Sequence, residues 1–233
     1  YSPGTTRSRD PYELCINEDS MSNYPNLFSK ATIGTLELKN RIVMPAMEPG
    51  LADGKGQLDG SAAAAYYGLR ARGGAGLLIT GNVAVVPEGR AAGVQPGLWS
   101  DDHVASFTEQ NKAVHEAGGK IFIQLSHAGR EVHPMLGWEC VAPSAIMSPV
   151  LRSRPRELTT AEIEELVMAF QSAARRAKES GADGIELHGG HGYLINQFLS
   201  PNMNKREDQY GGTTSNRARF AIEIVQAVRK EIG

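Results

Sequence analysis

The chain has 233 residues, 41% of them apolar and 21% charged, with a net charge of −2. These values suit a globular protein of one or two domains. They give no electrostatic reason to bind nucleic acid or an anionic membrane, and no apolar run approaches the ~20 residues of a membrane span.

Residues 1–20 are polar and aperiodic and lack the apolar segment of a secretory signal. They read as a flexible tail or upstream extension, leaving 21–233 as the folded part. Cys15 and Cys140 stand far apart in dissimilar contexts, so reduced thiols and a cytoplasmic location are expected rather than a disulfide framework. Arg41 to Met47 reads as a buried strand. Asp59 to Arg72 is alanine-rich and helical, and Gly73-Gly74 stops it. Gly76 to Asn82 is a second strand. Ser100 can cap a helix with Val104, Phe107, Asn111 and Val114 on one face, ended by Gly118-Gly119. Lys120 to Ser126 is a third strand, with Ile121, Ile123 and Leu125 on one face and Phe122, Gln124 and Ser126 on the other. The proline-bearing stretch 127–158 is a long loop of the kind that carries function. Thr159-x-x-Glu162 is a capping box opening a helix that buries Ile163, Leu166, Val167, Phe170, Ala174 and Ala177. Gly181 ends it. A fourth strand starts at Gly184, and a final helix, capped at Ser215, buries Phe220, Ile224 and Val228.

In the fourth strand Ile185 and Leu187 point one way, and Glu186 and His188 the other. His188 therefore sits at the strand tip, with His191 and Tyr193 close behind on a turn that Gly189, Gly190 and Gly192 permit. Two imidazoles and a phenol at one strand tip form a candidate site for hydrogen bonding and proton transfer. His-x-x-His also has metal-ligand spacing, but no third ligand stands nearby and structural zinc needs four, so no metal is assigned.

Four strand–helix units in succession imply parallel pairing through right-handed crossovers. A doubly wound sheet and a (β/α)8 barrel both fit. No Gly-x-Gly-x-x-Gly follows the first strand, and polar residues at strand tips favour the TIM barrel. A complete barrel needs eight units and ~250 residues. The fold expected is thus α/β, the N-terminal half of a TIM (β/α)8 barrel.

Asn40-Arg-Ile-Val-Met-Pro-Ala-Met47, Gly76-Leu-Leu-Ile-Thr-Gly81, Ile123-Gln-Leu-Ser-His-Ala-Gly-Arg130, Val141-Ala-Pro-Ser-Ala145, His188-Gly-Gly-His-Gly-Tyr193 through Pro201, and the segment Asn204 to Arg217 occur in that order. Together they resemble the Old Yellow Enzyme family of FMN-dependent ene-reductases, across residues 24–233. The His-x-x-His form is similar to the bacterial branches.

The resemblance implies a function: NAD(P)H reduces FMN, and the reduced flavin gives a hydride from N5 to an activated alkene such as an enone, enoate or nitroalkene. His188 and His191 would bind the substrate's carbonyl or nitro oxygen, and Tyr193 would deliver the proton. Gln124 would bond the flavin's polar edge, while Pro45, Ala46, Met47 and Gly81 would line it. The partner is a small-molecule alkene. Glu48 departs from the Cys or Thr that many relatives carry after the methionine, and Asn82 and Val83 depart at the flavin edge. The family's phosphate loops lie on later strands, so this chain alone is expected to bind FMN weakly or not at all and to aggregate or dimerise through open strand edges. Two other readings stay open: a non-catalytic fragment of the same fold, or a longer relative of the dienoyl-CoA reductase or amine dehydrogenase type with an iron–sulfur domain.

Overall fold

The computed structural model describes residues 23–233, so the tail assigned to 1–20, and Cys15 within it, lie outside the described residues. A short helix, α1 (Pro25–Phe28), leads to a hairpin of β1 (Ala31–Ile33) and β2 (Leu36–Leu38), turned by Gly34 at φ 60°. The strand–helix repeat then runs β3 (Val43–Met44), α2 (Gly60–Arg72), β4 (Leu77–Ala84), α3 (Val104–Glu116) and β5 (Lys120–Ser126). It continues through a minor pair, β6 (Val141–Ala142) and β7 (Arg156–Glu157), to α4 (Thr160–Glu179), β8 (Gly184–Leu187), α5 (Leu194–Leu199) and α6 (Thr214–Ile232). The main sheet has the order β3-β4-β5-β8 and every pairing in it is parallel. This is the succession of four β/α units of a TIM barrel.

Local chemistry sets the element ends. The Asp59 carboxylate accepts from Ala62 N–H and caps α2, while Gly74 at φ 104° follows its end. At α4 both arms of the capping box form: Glu162 N–H donates to Thr159 Oγ1, and Thr159 N–H donates to the Glu162 carboxylate. Ser100 caps a 3₁₀ turn, Asp101–His103, that feeds directly into α3.

Ile121, Ile123 and Leu125 are completely buried against the helices, beside Phe107, Ile163, Phe170 and Phe220. Burying each such side chain contributes ~1.5–3 kcal/mol. The opposite face of the strands carries Gln124, Glu186 and, just past the strand, His188, so period-two alternation sorts core from site.

Three expectations need correction. The first strand is Val43–Met44 rather than Arg41–Met47, because Pro45 has no N–H to continue the ladder. The cap of α6 is Thr213, whose hydroxyl accepts from Asn216 N–H, two residues before Ser215; Gly212 at φ 75° places it. Finally, the hairpin and α5 are regular structure in stretches to which the sequence pattern assigned no element.

Candidate active site

The site starts from register. Asn82 on β4 pairs with Gln124 on β5, and Gln124 pairs with Glu186 on β8. The three side chains therefore form one row across the sheet, and Gln124 Nε2 donates to Glu186 Oε1 at 2.6 Å. Asn82 joins that row because of a bulge. Ile79 pairs with Phe122 and Asn82 with Gln124, so β4 has two residues, Thr80 and Gly81, where β5 has one. The extra residue reverses the parity beyond it, a known use of bulges near sites. Both exposed backbone needs are met: Gly81 N–H donates to Tyr67 Oη at 2.9 Å, and Gln124 N–H donates to Thr80 Oγ1 at 3.1 Å. Gly81 is also a close-approach glycine. A Cβ there would lie 2.6 Å from the Met47 carbonyl oxygen.

One backbone bond past β8, His188 N–H donates to the Leu125 carbonyl at 2.9 Å, so the strand tip is still pinned when the loop begins. His191 takes φ 54° and Gly192 φ 73°. A histidine in the left-handed region is uncommon and costs on the order of 1 kcal/mol, a strain typical of functional loops. Gln197, fully buried on α5, holds the loop. Its Nε2 donates to the carbonyls of Gly192 at 2.6 Å and Ala128 at 3.1 Å. Leu194 N–H donates to the His127 carbonyl at 2.9 Å.

The turn brings His188 Nε2 within 3.4 Å of His191 Nδ1 and sets the Tyr193 ring, tilted by 59°, 4.7 Å from that of His188. Asn82 Nδ2 lies 3.5 Å from Tyr193 Oη.

These groups border an open cavity of about 400 Å³, in the range of small-molecule sites. Pro45, Ala46, Met47 and Glu48 form one wall; Asn82, Gln124, Glu186, His188 and His191 form the other. Burial, with some help from His191, holds the His188 imidazole below its usual pKa, so it is a neutral hydrogen-bonding group at pH 7. Burial likewise raises the Tyr193 phenol. Desolvation by partial burial pushes the Glu48 carboxyl up to about 7 against the opposing Gly50 N–H, although the side chain still reaches solvent.

Of the residues singled out from the sequence, Pro45, Ala46, Met47, Gln124, His188 and His191 line this cavity, while Tyr193 is outside the lining and meets it through His188 and Asn82. Gly81 lines a smaller space behind it, with Tyr67 and Glu48. His127 and Arg130, at the rim in sequence, are buried structural groups. His127 Nδ1 accepts from Gly129 N–H, and burial lowers its pKa to about 4. Arg130 is held by Glu131 and by the carbonyls of Ile146 and Met147. Sequence reasoning gave no role to Glu186, Gln197 or Tyr67. The alternation of the fourth strand already put Glu186 on the His188 face, whereas the other two act through contacts that no local pattern announces.

Among the described residues no helix is long and apolar enough to cross a membrane. Residues 26–233 match the model of the NADH:flavin oxidoreductase / NADH oxidase family. The chain is 47% identical over 216 residues to an NADH oxidase of Thermoanaerobacter brockii, covering 91% of this chain and 33% of that protein. It is also 47% identical over 204 residues to an NADPH dehydrogenase of Geobacillus sp. (strain WCH70), covering 88% and 59% respectively. Among solved structures, morphinone reductase in complex with tetrahydroNAD superposes with a TM-score of 0.84 at 36% identity, over 90% of this chain and 61% of that one. The chain thus spans from about a third to about three fifths of the length of these relatives.

Proposed function

The chain belongs to the NADH:flavin oxidoreductase / NADH oxidase family, and from that premise we propose that it carries the substrate-activating part of an FMN-dependent, NAD(P)H-driven reductase of activated C=C bonds. Enones, enoates and nitroalkenes fit the site, since each places an oxygen in conjugation with the alkene. The observation that carries the reading is the 3.4 Å approach of the His188 and His191 ring nitrogens. One substrate oxygen can sit within hydrogen-bond reach of both, where donated N–H bonds stabilise the charge that develops on it. Tyr193, on the same turn, is placed to hold the proton that the α-carbon needs.

The residues present suit a flavin. The cavity is open, its wall at Pro45, Ala46 and Met47 is a backbone segment, and Gln124 Nε2 is fixed by Glu186, which leaves the amide oxygen as an oriented acceptor. Bound there, FMN would supply the hydride chemistry. The chain's own residues would bind the oxygen through His188 and His191, keep Gln124 oriented, and keep a proton at Tyr193 Oη.

The test uses flavin-loaded protein. Tyr193→Phe should slow reduction of a simple enone by about 10²-fold or more, while NAD(P)H still bleaches the flavin at nearly the parent rate. Enone turnover at the parent rate would take Tyr193 out of the mechanism. Replacing both histidines with alanine should weaken binding of a phenolate ligand, and undiminished affinity would remove the oxygen-binding role.

A further inference from the structure

We propose that Asn82 is a positioning residue for Tyr193: its carboxamide N–H donates to the phenolic oxygen, leaving the phenol's own proton free to point into the cavity. The inference deepens the reading of Tyr193 as proton donor, and rests on it for its kinetic consequence.

A phenol has one O–H to donate and lone pairs to accept. When the oxygen accepts from Asn82 Nδ2, at 3.5 Å, the O–H is left to find its acceptor elsewhere. The contact is long, as catalytic hydrogen bonds often are before a substrate arrives. The amide orientation follows from the rest of its surroundings. Asn82 Oδ1 is buried and, among the described residues, finds no partner. Turning the amide over would place two N–H groups in that spot, and buried orphan N–H groups are rarer in proteins than under-satisfied carbonyl oxygens.

The electrostatic setting gives this bond its use. Glu48 from the segment after β3 and Glu131 from the loop after β5 add to burial in raising the phenol's pKa. His188 faces it from its own loop, with His191 against His188. Asn82 is the neighbour that works in the other direction. It stabilises the phenolate that proton delivery leaves behind. The cause traces back to sequence: Tyr67 satisfies Gly81, the bulge forms, and Asn82 turns onto the site face. Without the bulge it would point into the core.

The experiment is a pH titration of protein labelled at tyrosine Cζ with ¹³C, the Tyr193 resonance being assigned by its loss in Tyr193→Phe. Asn82→Leu keeps the branching and the number of side-chain heavy atoms without a polar group. Asn82→Ala is the second variant should the first perturb folding, which far-UV circular dichroism checks. Neither introduces a charge. Losing a donor should raise the Tyr193 pKa by about one unit. In flavin-loaded protein the same variants should slow enone turnover about tenfold more than they slow NAD(P)H-driven flavin bleaching, which is measured alongside because Asn82 also lines the cavity. An unmoved pKa overturns the proposal. A lowered one does too, since it means that the amide accepts from the phenol. A raised pKa with unchanged enone turnover upholds the contact and defeats Tyr193 as proton donor. Slow turnover in Tyr193→Phe with an unmoved pKa in the Asn82 variants does the reverse.

Discussion

At the N-terminal end of the sheet, Asp183 accepts from the His115 ring at 2.6 Å, from the Lys120 ammonium at 3.0 Å and from Ile121 N–H at 2.9 Å. Nearby, Asn40 donates to the Gly74 carbonyl and accepts from Ile42 N–H, using both ends of its amide. At the C-terminal end, 20 Å or so further along by the rise of a strand, the pattern is different. Asn82 Oδ1 has no partner among the described residues, His191 sits at positive φ, and His188 and Glu48 are displaced from their ordinary pKa values in opposite directions. One rim has its polar groups closed among themselves and the other leaves them for something else to complete. In a β/α barrel that division separates stability from chemistry, and it can be tested from both sides.

The largest effect is expected at the closed rim. Asp183→Ala leaves the buried Ile121 N–H without its acceptor and removes the partner of the Lys120 ammonium and the His115 ring, so it should cost ~2–4 kcal/mol in chemical denaturation. The pH dependence has a definite sign. Burial pushes the Asp183 carboxyl up, but its hydrogen bonds outweigh that and hold it below the ordinary value. Its contribution is therefore present above the usual aspartate range and is lost as pH falls through the depressed value, so the gap between parent and variant should close below about pH 4. A gap that persists to pH 2 would mean that packing, rather than the ionised carboxylate, is what the variant loses.

The core was the more legible part of the sequence, whereas the Asp183 and Asn40 contacts of the closed rim were not read from it. Lys120–Ser126 alternates cleanly, the capping box at Thr159 and Glu162 is local, and the buried faces of α4 and α6 follow helical spacing. These are short-range signals. On the open rim the parity of Glu186 and His188 could be read because β8 is regular. Asn82 could not be placed, because its side depends on an irregularity fixed by Tyr67, fourteen residues away on a helix. α5 was hidden for a similar reason: it is six residues long and opens without a side-chain cap, and its anchor is Gln197 reaching across to Ala128. The first strand was overestimated because apolar character alone does not register that Pro45 cannot donate.

A smaller effect belongs to Glu48. Its folded pKa, about 7, lies above the ordinary 4.5, so the folded state keeps a proton that the unfolded chain has released. Stability should then fall as pH rises from about 4.5 to about 7. Because the side chain reaches solvent, screening reduces the effect to roughly 1 kcal/mol. Glu48→Gln should match the parent at pH 4 and exceed it at pH 8. Parallel stability curves across that range would show that the carboxylate is comfortably solvated, and would remove Glu48 from the strained side of the comparison.

The smallest stability effect, and the sharpest separation of the two rims, is expected from His191→Gly. The left-handed backbone there costs a histidine about 1–2 kcal/mol, and glycine gives back about 0.5–1 kcal/mol of that relief through its greater unfolded-state freedom. The ring is exposed and donates no bond into the core. Net stability should therefore stay level or rise by about 0.5 kcal/mol, although a side chain has been deleted. Over the same substitution, affinity for a phenolate ligand should drop about tenfold, since one of two N–H groups at the oxygen is gone. A loss of more than about 1 kcal/mol would show that the imidazole holds the loop together. In that case the positive φ would be a structural necessity that the rest of the turn imposes, and His191 would move from the open rim's account to that of the closed one.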